Sequence, residues 1–172
     1  MIQEIIGQLI GIVAPILTII TYQLNTKNKM FTVLTAATVC TCVSYLLLGA
    51  TSGFVLNIVC IVRNICYCLQ KEGTRGMYIS GGIFAAVMCA LGAFSWQGTH
   101  SLLIIAALAI NTVYMSFGKP QLLRKSILLT STLVLIYNII EFSLGGIINE
   151  SLALGSAVVG IVRFWKEPKK NN

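Results

Sequence analysis

The stretch GKPQLLRK, residues 118–125, interrupts a chain that is otherwise greasy. A proline, a glutamine and three cations stand between two long apolar runs. The 172 residues are 56% hydrophobic and 10% charged, with a mean hydropathy of +0.86. Soluble domains carry about 25% charged residues. This chain cannot coat a globule with polar side chains, so lipid is its expected solvent. In that solvent the octapeptide reads as a turn at a water boundary, with Lys119, Arg124 and Lys125 holding it among the headgroups. A net charge of +7 could suggest nucleic acid. Nucleic-acid binders, however, present a basic face on a polar domain. Here the cations fall in small groups between apolar runs, and no nucleic-acid partner is expected.

A helix that crosses a bilayer needs about 20 mostly apolar residues. Seven segments meet or approach that requirement: 5–24, 30–50, 53–70, 77–96, 101–118, 126–146 and roughly 147–165. The seventh is the weakest, because Asn149 and Glu150 fall at its start, on the side opposite the octapeptide. The cations order the set. Lys27 and Lys29 follow span one, Lys71 and Arg75 follow span three, and Lys119, Arg124 and Lys125 follow span five. Lys166, Lys169 and Lys170 follow span seven. Arg63 and Arg163 lie near the same ends and are expected to snorkel to the interface. All 12 Lys and Arg residues thus fall on one side of a seven-span chain. Short cytoplasmic loops collect Lys and Arg, so the N-terminus is expected outside and the C-terminus in the cytoplasm. The opening MIQE lacks a basic n-region and a cleavage site, and reads as retained rather than as a signal peptide. The whole chain, 1–172, reads as one all-α integral membrane domain.

A repeat is also suggested. Gln23-Leu24 before lysines is echoed 98 residues later by Gln121-Leu122 before Arg124-Lys125. The triplet Ile61-Val62-Arg63 returns 100 residues later as Ile161-Val162-Arg163. The predicted plan is 3+1+3. Residues 5–70 form one three-helix repeat, 77–96 a linker helix that inverts the chain, and 101–166 a second repeat in the same orientation. Parallel repeats about an axis along the membrane normal are a known transporter plan. The linker carries Gly81, Gly82, Ala85, Ala86, Ala90, Gly92 and Ala93, small residues that let helices approach closely in lipid.

The residues Gly7, Gly11, Gln23 before a lysine-rich turn, Tyr45 to Gly49-Ala50, Gly53, Asn57 and Arg63-Asn64 carry a resemblance. The chain resembles the YgjV-type family of bacterial inner membrane proteins, which is in turn similar to the SWEET, SemiSWEET and PQ-loop group. The match is good over 5–70 and weak over 101–165. It departs at Tyr22-Gln23, where PQ-loop proteins have Pro-Gln, whereas the second copy reads Pro120-Gln121. The resemblance implies the bacterial inner membrane, a SWEET-like fold and an asparagine on the third helix of a repeat that contacts solute, here Asn57.

Polar groups in such a bundle face its interior or a wet cavity. Asn57 offers donor and acceptor to a hydroxylated solute, or it fixes packing by bonding a nearby carbonyl. Tyr45, Asn111, Tyr114, Tyr137 and Asn138 are further candidates for solute contact, with Ser156 or Ala157 at the place of Asn57 in the second copy and Ser156 the candidate of the two. Against that, tyrosines mark interfaces and asparagines glue helices. Gln23 and Gln121 at matching inner ends form a candidate cytoplasmic gate. Pro15 in span one and Pro120 are candidate hinge elements. Glu141 reads as an acid near the outer boundary. Cys40, Cys42, Cys66 and Cys68 stand two apart in helices, too far round for one metal, and Cys60 and Cys89 read as packing residues. His100 has no acid nearby, and no nucleotide or hydrolase fingerprint occurs. No enzyme activity, cofactor or metal is therefore expected. The expected function is carriage of a polar, sugar-like small solute by alternating access. The alternative is a non-transporting assembly or regulatory membrane protein. Expected partners are the bilayer, an unidentified solute and a second copy of the chain in a homo-oligomer.

Overall fold

The computed structural model describes residues 2–94, 96, 98–140 and 142–165, apart from the side chains of residues 4, 52, 144 and 145. Glu141, Lys166, Lys169 and Lys170 therefore lie outside the described residues. Seven helices make up the described chain: α1 (Ile2–Gln23), α2 (Lys27–Leu47), α3 (Thr51–Leu69), α4 (Arg75–Phe94), α5 (Ser101–Met115), α6 (Pro120–Ile140) and α7 (Leu144–Arg163). Five of them, α1, α2, α4, α6 and α7, are long and apolar enough to cross a membrane. Gly53–Leu69 of α3 and Ser101–Met115 of α5 are shorter apolar helices.

These helices are built inside out. On α1, Leu9, Ile12, Ile16 and Ile20 recur every three or four residues and are exposed, while Ala14, Thr21 and Tyr22 are buried. On α6, Leu129, Ile136, Ile139 and Ile140 face outward, while Arg124, Ser126, Thr130, Ser131 and Asn138 are buried. In water that pattern would be costly. In lipid nothing drives apolar side chains inward, and polar groups seek each other. Threonines inside the spans bond back to the carbonyl four residues earlier, as Thr18 does to Ala14 at 2.9 Å and Thr35 to Phe31 at 2.7 Å.

Short turns pair each helix with its neighbour in sequence. α2 packs between α1 and α3, α6 packs between α5 and α7, and α4 lies on α5. The α1–α7 contact brings the ends of the chain together, and α3 touches α4 only lightly. Tyr22, Phe31, Tyr67, Met77, Met115, Leu123, Ile127 and Ala157 form a buried apolar cluster that draws on every helix. Phe31 and Phe84 both meet the Tyr67 ring edge-on, at 5.8 and 6.0 Å.

Two turns at the same end of the bundle share a device. Gly49 after α2 has φ 73°, and Ala50 N–H donates to Tyr45 O at 2.9 Å. Phe142 after α6 has φ 54°, and Ser143 N–H donates to Asn138 O at 2.9 Å. Both close a helix with a left-handed residue. Glycine does so freely, whereas an L side chain is penalised by about 1–2 kcal/mol. Phe142 is 89% exposed, so it regains little of that by packing. We expect Phe142→Gly to raise stability by about 1 kcal/mol and Gly49→Ala to lower it by a similar amount. Unfolding titrations in mixed micelles measure both.

The octapeptide is where the sequence-based expectation needs correction. It is not a free loop before a helix that starts at Ser126. Gly118, at φ 68°, ends the turn after α5, and Pro120 opens α6. Proline suits a first helical position, where its missing N–H has no intrahelical partner to lose. Six residues of the stretch, 120–125, are thus helical. Arg124 does not reach for headgroups. Its side chain is fully buried, with Nε donating to Tyr22 O at 2.8 Å, Nη2 to Leu24 O, and Nη1 to Asn25 Oδ1 at 3.5 Å. Its guanidinium also lies 4.5 Å from the Phe164 ring centre. It satisfies carbonyls at the C-terminal end of α1, where the helix dipole favours a cation. The seventh span, expected from about 147, starts earlier, at Leu144, so Asn149 and Glu150 lie in its second turn rather than at its start. Gln23 ends α1 while Gln121 lies in the first turn of α6, so the two glutamines do not occupy matching places.

Candidate functional site

Four helices leave a space between them. A cavity of about 170 Å³ is lined by Thr18 and Tyr22 of α1, Asn111 of α5, Thr130 and Ser131 of α6, and Asn149 and Glu150 of α7, with apolar residues completing its wall. At 1.5 Å per residue, Ser131 lies about 16 Å from the start of α6 and Glu150 about 9 Å from the start of α7. The cavity is therefore well inside the span. Asn149 Nδ2 donates to Glu150 Oε1 at 3.0 Å. Asn111 Oδ1 accepts from Ser126 Oγ at 3.1 Å, which ties α5 to α6 beside the cavity.

The site exists because of small residues on α7. Gly146, Glu150, Ala153, Ala157 and Gly160 recur every three or four positions, so one face of the helix carries them all. Ala153 and Ala157 are buried, which lets α1 and α6 approach while Glu150 faces the gap.

The predicted site residues divide. Asn111 lines the cavity. Asn57 Nδ2 instead donates to Gly53 O one turn back, at 2.8 Å. The Tyr45 ring packs on that same Gly53, where a Cβ would lie 2.7 Å from Tyr45 Cδ2. Tyr45 and Asn57 therefore meet around Gly53, and neither lines this cavity. Asn138 is buried against Gly146, the Tyr137 ring lies 5.8 Å from that of His100 at a tilt of 45°, and the Tyr114 ring lies 6.4 Å from that of Phe117. Ser156 Oγ donates to Ile19 O at 2.9 Å and accepts from Gln23 Nε2 at 3.0 Å. Gln121 Nε2 donates to Phe164 O at 2.7 Å. Pro15 lies inside α1, which continues through it.

Arg63 overturns an expectation. It does not snorkel: it is 4% exposed, with Nη1 donating to Thr112 Oγ1 at 2.8 Å and Nε and Nη2 to Asn64 Oδ1 at 3.2 and 3.1 Å. Tyr67 OH donates to Thr112 O at 3.2 Å, so α3 is clasped to α5. Arg163, by contrast, is exposed beside Phe164. Sequence reasoning also missed Glu150 as a site residue, reading it only as a polar interruption at the start of the seventh span. The small-residue stripe on α7 was the available signal.

An all-helical chain with a lipid-facing apolar surface and polar groups gathered inside is a multi-pass membrane protein. The chain belongs to the Imp-YgjV family, described as bacterial inner membrane protein, whose family model matches residues 5–168. Its place is accordingly the bacterial inner membrane. No curated protein and no solved structure matches it.

Proposed function

We propose that this chain is a small carrier that moves a polar solute across the inner membrane by alternating access, without catalysis. The observation that carries the reading is the cavity of about 170 Å³ inside the span, with polar groups from all four helices in a partly apolar wall, at the junction of α1 with α5–α7. In this reading the two triplets α1–α3 and α5–α7 are like-oriented repeats joined by α4, with the N-terminus outside and the C-terminus cytoplasmic.

Contacts support the repeat at a different register from the one the motifs suggested. Pro120 follows Lys27, the start of α2, by 93 positions. The same shift carries the left-handed Gly49 onto Phe142, and the Tyr45–Gly53 contact onto Asn138–Gly146. It carries the Gly7–Ser44 bond onto the His100–Tyr137 ring pair. It also carries the Arg63–Thr112 bond onto Ser156–Ile19. The last pair is telling, because it exchanges an α3–α5 contact for an α7–α1 contact, as a two-fold axis between triplets would. At this register Asn57 corresponds to Glu150, not Ser156.

Alternating access is supported by where the triplets touch. Gln23–Ser156, Ser156–Ile19, Arg63–Thr112, Tyr67–Thr112 and Arg124 with the end of α1 all lie toward the proposed cytoplasmic ends of their helices. These bonds form a closed inner gate below the cavity. Local satisfaction of Asn57 by Gly53 O favours the second reading, a non-transporting assembly protein, for the first triplet alone.

Uptake of a panel of radiolabelled polar solutes into proteoliposomes tests the proposal. Val134→Phe and Ala107→Phe each fill the cavity wall and should lower uptake of the transported solute by about tenfold or more. Uptake by both variants at the wild-type rate, or no uptake of any solute by wild type, would remove the carrier reading.

A further inference from the structure

We propose that the cavity beside Glu150 binds a small organic cation, a solute bearing a protonated amine, with the Glu150 carboxylate as its counter-ion. This rests on the carrier reading for the site and adds the charge class of the solute.

Charge is the first reason. Glu150 is the one acidic residue in the cavity wall, and none of the lining residues is Lys, Arg or His. The two buried arginines direct their donors elsewhere, Arg63 to Asn64 and Thr112, Arg124 to the end of α1. Asn149 supplies one amide bond to Glu150 Oε1, and the Ser131 hydroxyl supplies another to the carboxylate. An ionised carboxylate has about four acceptor positions, so about half of its capacity is left facing the cavity. Inside a membrane such a group keeps its charge only where a positive partner meets it. An ammonium group, with its N–H donors, is that partner.

The neutral groups agree. The Thr18 hydroxyl donates its proton to Ala14 O at 2.9 Å. What remains for a ligand is lone pairs, which suit a donor rather than an acceptor. Thr130 and Ser131 add hydroxyl oxygens, and Tyr22 adds an aromatic wall of the kind that favours cations. An uncharged sugar can donate hydroxyls to a carboxylate but cannot neutralise its charge in a site without water, as an ammonium does. Size sets the upper limit. A cavity of about 150 Å³ holds one benzene, so about 170 Å³ suits an amine of ethanolamine or diethylamine size.

Isothermal titration of the full chain in nanodiscs tests the site directly, with ethanolamine, diethylamine and glycerol as the probes. Glu150→Gln keeps the side-chain shape and removes the charge, whereas Glu150→Asp keeps the charge. Circular dichroism establishes that both variants fold. We expect saturable binding of an amine, weakened about tenfold or more by Glu150→Gln and no more than about threefold by Glu150→Asp. Glycerol should not compete. The inference is overturned if neither amine binds wild type, if Glu150→Gln binds equally well, or if glycerol displaces the amine. Its failure differs from that of the carrier reading. Uptake of a neutral solute without amine binding removes only this inference, whereas amine binding without any uptake removes only the carrier.

Discussion

Replacing Arg124 by leucine is expected to destabilise the protein by about 3–5 kcal/mol, the range reached when a buried polar network is broken. Its guanidinium satisfies Tyr22 O, Leu24 O and Asn25 Oδ1 at once. Each buried polar group left without a partner costs about 1–3 kcal/mol, and here two of them are carbonyls at a helix end that no later turn of the helix can cap. The lost contact with Phe164 adds to that. Lysine keeps the charge but not the planar fork, so Arg124→Lys should recover less than half of the loss. Thermal unfolding in micelles, followed by circular dichroism, reads both values. A loss below about 1 kcal/mol for Arg124→Leu would mean that water reaches these carbonyls as readily as the arginine does.

The second large effect concerns Gly160 on α7. A Cβ there would press directly on Tyr22 O and lie 2.8 Å from Arg124 Nε. The first neighbour is backbone and the second is held by its own bonds, so neither yields cheaply. We expect Gly160→Ala to cost about 3 kcal/mol, at the upper end of what one added methyl does in a packed interior. Gly155, on the same helix, is the control. A Cβ at Gly155 meets no heavy atom within 4 Å. Gly155→Ala should therefore stabilise by about 0.5–1 kcal/mol through helix propensity alone. Equal effects at the two positions would show that the α1–α7 approach is looser than described.

Much of the architecture was legible because lipid imposes coarse rules. Apolar runs of span length, separated by turns, predict helices at nearly every place where one is found. The errors fall on charged residues. Rules for cations place them at water boundaries, but Arg63 and Arg124 are buried because carbonyls, an amide and a hydroxyl from distant helices receive them. No local pattern announces partners that far away in sequence. Asn149 and Glu150 misled for the related reason that two polar residues lower a hydropathy window, whatever cavity they face. The stripe from Gly146 to Gly160 and the proline at position 120 were the readable clues to the right boundaries. The repeat proposed above rests on contacts rather than on motifs, because IVR and Gln-Leu recur by chance in apolar sequence, whereas contacts must recur in pairs.

The bond from Arg124 to Tyr22 joins residues 102 apart in the chain. At ribosomal speeds of about 5–20 residues per second, the sixth helix emerges roughly 5–20 s after the first. For that interval the first helix has entered the bilayer with its last carbonyls uncapped, and water or headgroups must serve them. A nascent chain that ends before residue 124 therefore leaves those carbonyls to water or headgroups, and only the arrival of α6 replaces them with a protein donor.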